Sequence, residues 1–275
     1  MFLKQLNKNM KNFADKKIII TGANGGIGNL LVEKIAQEKA KLILISKDEN
    51  ELQRTCQKLR DSGAKADYIS ADFSKIDNIQ EIASIISQMD NISMIINAAG
   101  LMSFNSLGLE SYENIEKIFN INLLAPIILS KALLPDMVKN KSGHIVNIGS
   151  IFGSIAFPYF SLYSSSKAGL KSFTEAMIRE LDGSGVKFSY IAPRAVATKM
   201  NGGKINDYLK KTKANIDDAN LVADKIITAI KCEKEFSYFG FPESLFVRLN
   251  YLCPKLVSLG IKQQSKIAKE ILIKN

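Results

Sequence analysis

Two rhythms of apolar and polar positions alternate along the chain. Short apolar runs occur at Lys17–Ile20, Leu42–Ile45, Ser93–Ile96, His144–Ile148 and Lys187–Ile191, separated by longer stretches with apolar residues at helical spacing. The runs predict strands and the stretches between them predict helices, a repeating β-α-β pattern. Segments such as IIIT, LILI, MIIN and IVNI are apolar at nearly every position. A strand covered on one face would alternate, so helices are expected on both faces of these strands, as in a parallel sheet. The expected fold is α/β: one doubly wound parallel sheet with helices on both sides. Its 275 residues suit a single large domain, placed here at residues 1–240, with 241–275 as a C-terminal extension.

Open parallel sheets bind ligands beyond the carboxyl ends of their strands, and the residues with chemistry fall there. The first run leads into Thr21-Gly22-Ala23-Asn24-Gly25-Gly26-Ile27-Gly28, followed by a helical pattern from about Asn29. Glycines 22, 26 and 28 permit a tight turn, close approach of backbone to a pyrophosphate and packing of helix on strand. The amino end of the following helix supplies unpaired N–H groups for an anion. The spacing is G-x-x-x-G-x-G, one residue longer before the second glycine than the commoner dinucleotide fingerprint. A glycine-rich turn used only for packing is the alternative.

A second constellation lies further on. The run HIVNIG ends in Ser150, and Tyr163 and Lys167 stand four residues apart, on one face of a predicted helix. A phenol with an ordinary pKa near 10 is a poor base at neutral pH, but a nearby cation favours the phenolate. Serine, tyrosine and lysine together can hold a carbonyl oxygen, relay a proton and fix ring geometry, which is what hydride transfer requires.

The formal charge is +10, yet the lysines are scattered over almost every predicted helix, which argues for a solvated surface over nucleic-acid binding. Three cysteines, Cys56, Cys232 and Cys253, are too few and too widely spaced for a disulfide framework or a metal site. The amino-terminal MFLKQLNKNMKNF is broken by lysines and asparagines, so neither a signal peptide nor a spanning helix is expected there, and the location expected is cytoplasmic. His144 precedes the apolar part of its strand, at the end away from the expected site, and reads as structural.

With these motifs in this order, the chain resembles the short-chain dehydrogenase/reductase family, whose Rossmann-type fold binds NAD(P), over nearly its whole length. Thr21–Gly28 resembles the family's cofactor loop, and Asn97-Ala98-Ala99-Gly100 its Asn-Asn-Ala-Gly segment, with Ala98 in place of asparagine. The resemblance implies cofactor contacts from Gly22, Asn24, Gly26, Ile27, Gly28, Asn97, Ala98 and Gly100, and adenine contacts from Asp72 and Phe73. It places the carboxamide loop at Pro193–Thr198, through Pro193, Val196 and Thr198, with Arg194 replacing the usual glycine. It implies that Ser150 orients a carbonyl, that Tyr163 is the acid or base, and that Asn122 holds a water. Lys167 is implied to bind the ribose and to lower the tyrosine pKa. A homo-oligomer is implied as well.

Cofactor choice is expected at the end of the second strand, where an acid would accept ribose hydroxyls and repel an added phosphate. Ser46 stands where NAD-preferring relatives carry aspartate, and Lys47 where NADP-preferring relatives carry a base, so NADP is expected over NAD. Asp48 would turn inward if the strand ended one residue later. Phe152, Ile155, Phe157 and Phe160 suggest an apolar carbonyl or alcohol substrate: a ketone, an aldehyde or a 3-oxoacyl thioester. Leu245, Phe246, Leu249 and Leu252, a Cys253-Pro254 break and six basic residues against one acid over Arg248–Lys274 describe a basic amphipathic tail. Packing on its own domain or on a partner subunit is one reading of the tail; contact with a membrane or an acidic acyl carrier is another. A module that senses NAD(P) without chemistry is the alternative function, against which stands the survival of Ser150, Tyr163 and Lys167.

Overall fold

In a computed structural model that describes residues 11–273, the five apolar runs form β1 (Lys17–Thr21), β2 (Lys41–Ser46), β4 (Ile92–Asn97), β5 (Gly143–Ile148) and β6 (Val186–Ala192). The amino-terminal segment read above for a leader lies outside the described residues up to residue 10, as does Lys274 of the tail. Two strands carry no such run: β3 (Lys65–Ser70, KADYIS) and β7 (Phe236–Tyr238). They are the outermost strands of one parallel sheet, ordered β3-β2-β1-β4-β5-β6-β7. An edge strand needs less apolar surface than a central one, so the pattern that marks the middle of the sheet is silent at its rims.

The continuous apolar character of the central strands is divided between two layers. Ile18, Ile20, Leu42 and Leu44 pack on one face with α1 (Gly26–Ala36), α2 (Glu49–Asp61) and α8 (Ala219–Lys231). Ile19, Ile43, Ile45 and Ile95 pack on the other with α3 (Ile76–Ser87), α5 (Ala125–Lys139) and α6 (Ser161–Glu180). α4 (Tyr112–Phe119) runs into α5 through a π-helical turn, Asn120–Leu124. This continuous helix, Tyr112–Lys139, is long and apolar enough to cross a membrane. Its Leu129, Leu133 and Met137 are buried against the sheet, which accounts for that composition.

Beyond the sheet, α7 (Lys204–Lys211) forms a lid, and the tail folds into α9 (Glu243–Leu252) and α10 (Pro254–Ile273), broken at Cys253-Pro254 as expected. Ala268 and Ile271 of α10 bury themselves with Phe160, Tyr208 and Leu209, and Val247 of α9 with Ile151 and Ile155. Val247 is the only buried residue of α9, and the stripe Leu245, Phe246, Leu249 and Leu252 is exposed. The fold reverses direction between β1 and β4, whose chains continue to opposite sides, and this opens a crevice at their carboxyl ends.

Candidate active site

The turn after β1 shows what its glycines are for. Gly22 has φ +65°, and a side chain there would meet the backbone of Ala99, 2.7 Å from a Cβ, in the loop after β4. A Cβ on Gly28 would collide with the carbonyl of Gly22, so the loop closes on its own helix only because both are glycine. Helix α1 starts at Gly26, three residues before the position expected, because Gly25 caps it with extended backbone. Gly26, Ile27 and Gly28 therefore form the first turn, and their N–H groups have no partner within the helix. The buried amide oxygen of Asn24 lacks a hydrogen bond, while its nitrogen donates to the Asp48 carbonyl at 3.2 Å.

These residues line one end of a cavity of about 730 Å³ that runs along the carboxyl ends of the sheet. Gly22, Asn24, Gly26, Ile27, Gly28, Ser46, Lys47, Asp72, Phe73, Ala98 and Gly100 all contribute to its wall, as do Pro193, Val196 and Thr198. β2 ends at Ser46, and the Asp48 carboxylate caps α2 by accepting from the Glu51 N–H at 2.9 Å. Burial raises the Asp72 carboxyl, but the Ser74 amide and hydroxyl, then Lys47 and Lys117, outweigh it and hold the group below its ordinary range. Lys117, on α4, also lines the cavity; nothing in the motif pattern pointed to it.

Ser150, Tyr163 and Lys167 meet in the middle of the same cavity, and all three are buried. Ser150 follows β5 by two residues in extended conformation, and its Oγ accepts from the Phe152 N–H at 3.1 Å. Lys167 Nζ donates to the Ile148 carbonyl at 2.9 Å and lies 5.9 Å from the centre of the Tyr163 ring. Burial pushes the Tyr163 phenol up to about 12, against a hydrogen bond with Ser150 that pulls it down. Burial also brings the Lys167 ammonium down to about 8. The direction at Tyr163 is opposite to the expected lowering by Lys167: desolvation of the buried phenolate is the larger effect.

Two of the expected catalytic and cofactor residues do not line the cavity. Asn97 is buried, with its amide donating to Asn147 Oδ1 at 2.8 Å, and Asn147 donates in turn to Thr174 at 2.9 Å. Asn122 sits in the π-helical turn, which aims its amide at the loop after β4. It exchanges hydrogen bonds with both the N–H and the carbonyl of Leu101, each at 2.8 Å, and donates to Ser166 at 3.0 Å. Both of its amide hydrogens are thus committed, and one lone pair of Oδ1 is left for a water. Tyr190, fully buried on β6, was not singled out from the sequence. Its hydroxyl lies 3.3 Å from the Ser150 N–H, 3.1 Å from the Ser150 carbonyl and 3.3 Å from the Lys167 carbonyl.

The other end of the cavity is apolar. Met102, Phe152, Phe157, Phe160, Tyr208 and Leu209 form its wall, with Phe152 edge-on to Tyr163 at 6.0 Å between ring centres. Ile155 is buried behind this wall. At the mouth, Arg194 pairs with Asp217 at 2.6 Å and with Glu243 at 2.8 Å, and donates to the Phe241 carbonyl at 3.1 Å. Arg194, Glu243, Phe246 and Gln264 line the cavity as well, so α9 and α10 complete it.

A family model for short chain dehydrogenases matches residues 16–208. The chain belongs to the short-chain dehydrogenase family, and is an NAD(P)-dependent oxidoreductase. Among its relatives, ketoacyl reductase HetN of Nostoc sp. is 34% identical over 227 residues, covering 81% of this chain and 77% of that one. Estradiol 17-beta-dehydrogenase 11 of Macaca fascicularis is 34% identical over 273 residues, 97% of this chain and 88% of that one. A short-chain dehydrogenase from Sphingobium yanoikuyae in complex with NADPH has the same fold, with a TM-score of 0.79 at 24% identity over 88% of this chain and 95% of that one. A family member from Burkholderia phymatum in complex with NAD gives 0.80 at 24% identity, over 90% of this chain and 97% of that one.

Proposed function

We propose that the chain transfers hydride between NADP(H) and an apolar carbonyl compound or the corresponding secondary alcohol: a ketone, an aldehyde or a 3-oxoacyl thioester. The observation that carries this reading is that one cavity has an anion-binding glycine turn at one end, an aromatic wall at the other, and Ser150, Tyr163 and Lys167 between them. The glycine turn and the amino end of α1 fit a pyrophosphate, and the unpaired Asn24 oxygen and the donors of Lys167 fit ribose hydroxyls. Ser46 and Lys47, with Asp48 engaged as a helix cap, suit a ribose carrying a phosphate. Bound there, the dinucleotide supplies the hydride.

The residues of the chain do the rest. Ser150 Oγ and the Tyr163 hydroxyl hold the carbonyl oxygen. A phenol raised to about 12 keeps its proton at neutral pH, so Tyr163 enters as the acid and donates as negative charge develops on that oxygen. Lys167, still largely charged at neutral pH, offsets the phenolate that results. Asn122 fixes the loop after β4 through Leu101. The relatives named for ketoacyl reduction and for estradiol dehydrogenation act, by those names, on carbonyl or alcohol carbons of largely apolar molecules. A cytoplasmic homo-oligomer in peripheral contact with membrane belongs to the same reading.

The test is oxidation of NADPH and NADH against carbonyl compounds of graded chain length, with Tyr163→Phe alongside. Turnover with NADPH that rises with chain length, and falls about 10²–10⁴-fold in Tyr163→Phe while NADPH still binds, is the expected result. Cofactor binding without turnover of any carbonyl compound would instead make the chain a sensing module.

A further inference from the structure

The last two helices present a surface that the proposed chemistry does not use. Along α9, Leu245, Leu249 and Leu252 recur at i, i+4 and i+7 on the side opposite the buried Val247, and all three are exposed. The stripe continues onto the start of α10, where Leu256 and Leu259 are 64% and 58% exposed, and Leu252 at the end of α9 is 78% exposed. Val257 and Ile261, on the other side of α10, pack inward. Phe241, Phe246 and Tyr251 stand exposed around the stripe. Isolated exposed leucines are common, but a contiguous set on two adjoining helices marks a contact.

The charge around this stripe has one sign. Arg248, Lys255, Lys262, Lys266 and Lys269 are exposed on the same two helices, and none of them takes part in an ion pair among the described residues. The two acids, Glu243 and Glu270, lie at opposite ends, and Glu243 is held by Arg194. A second copy of the chain would meet the stripe with the same cations, so self-association brings like charges together. Exposed leucines with aromatic residues and long-stemmed cations at the rim are instead the composition that settles into a headgroup layer, because lysine stems reach outward while the apolar face enters.

We propose that the outer faces of α9 and α10 dock on an anionic bilayer. Phe246 belongs both to this face and to the cavity wall, so docking puts the cavity mouth at the lipid surface. The docking stands without any catalytic assumption. Entry of an apolar substrate from the bilayer rests in addition on the reading of the cavity given above.

The experiment is flotation of the full chain with vesicles of phosphatidylcholine alone, or with about one part in three phosphatidylglycerol, at low and high salt. Binding is expected to the anionic vesicles only, and to weaken at high salt. The variant Leu245→Ser/Leu249→Ser/Leu252→Ser is expected to lose binding at least about tenfold, and Lys255→Glu/Lys262→Glu to lose it as well. Leu109→Ser is the control: Leu109 is also exposed, but its neighbours Glu110 and Glu113 are acidic, and binding should be unchanged. Circular dichroism and vesicle-free turnover of a water-soluble carbonyl compound show that each variant is folded. Absence of flotation by the unaltered chain, equal binding to neutral vesicles, or unchanged binding of the leucine variant would each overturn the proposal. So would a dimer in sedimentation that the leucine variant abolishes. Loss of turnover in every protein tested would count against the enzymatic reading alone.

Discussion

Tyr190 shows how much of this site depends on a residue that touches no substrate. Its hydroxyl is the shared partner of the Ser150 backbone and the Lys167 carbonyl, so one group ties the end of β5 to helix α6, which carries Tyr163. Tyr190→Phe keeps the ring, against which Gly149 packs, and removes only these bonds. A buried carbonyl left without its donor costs on the order of 1–3 kcal/mol, and the serine and the tyrosine lose their fixed spacing. The expected outcome is a lower denaturation midpoint, together with a fall in kcat of at least about tenfold and little change in KM, because the reacting groups are displaced and the binding wall is not. Steady-state kinetics on the folded variant check this; a kcat equal to that of the unaltered chain would reduce Tyr190 to core packing.

At the level of elements, three segments far apart in the chain meet on Arg194. It extends from the loop after β6, pairs with Asp217 between the lid helix and α8, and pairs with Glu243 in the first turn of α9. The side chains are largely shielded from solvent, so each pair is worth more than a surface bridge, and removing the arginine leaves two carboxylates facing each other. Arg194→Gly, the residue usual at this place in the family, is expected to cost roughly 1–3 kcal/mol and to loosen α9, which then keeps only the Asn215–Glu243 hydrogen bond to that segment. Hydrogen exchange should then speed up over 243–252 while β4 and β5 stay protected, and substrate KM should rise more than kcat falls. Unchanged exchange over 243–252 would show that α9 is held by Val247 and its other hydrogen bonds, Asn215 to Glu243 and Asn250 to the Ser154 carbonyl, without Arg194.

For the molecule as a whole, His144 sets an acid limit on stability. It sits at the start of β5, away from the cavity, with Nε2 2.8 Å from Ser189 Oγ, and burial pulls its pKa from 6.5 down to about 4. Between those values the unfolded chain binds a proton that the folded chain refuses, so stability falls as the pH drops from 6.5 to 4. The full loss is on the order of 3 kcal/mol. Denaturant unfolding of the unaltered chain and of His144→Gln at pH 7 and at pH 4.5 should show a clearly shallower decline in the variant. Parallel declines would mean that carboxylates dominate acid unfolding.

Periodicity alone was enough to place the five central strands, the covering of both sheet faces and the carboxyl-end position of the chemistry, because each of these follows from side-chain spacing within a few residues. The glycine turn was readable for the same reason: Gly28 answers to the Gly22 carbonyl within the loop and Gly22 to its own positive φ, although the backbone that crowds Gly22 belongs to the loop after β4. The edge strands β3 and β7 were not, since a strand with one neighbour carries a weaker apolar signal. Nor were Lys117, Tyr190 and the Arg194 pairs, whose partners are brought close only when the sheet has formed. Asn97 and Asn122 were found by motif, but the packing of β4 on β5 and a π-helical turn determined what their amides hold. The direction of the Tyr163 pKa also required the folded chain: spacing puts Lys167 on the same helical face, whereas burial, which no local pattern reports, outweighs it. The apolar stripe of the tail was visible in its spacing, but which of its residues would remain outside depended on where α9 and α10 came to rest.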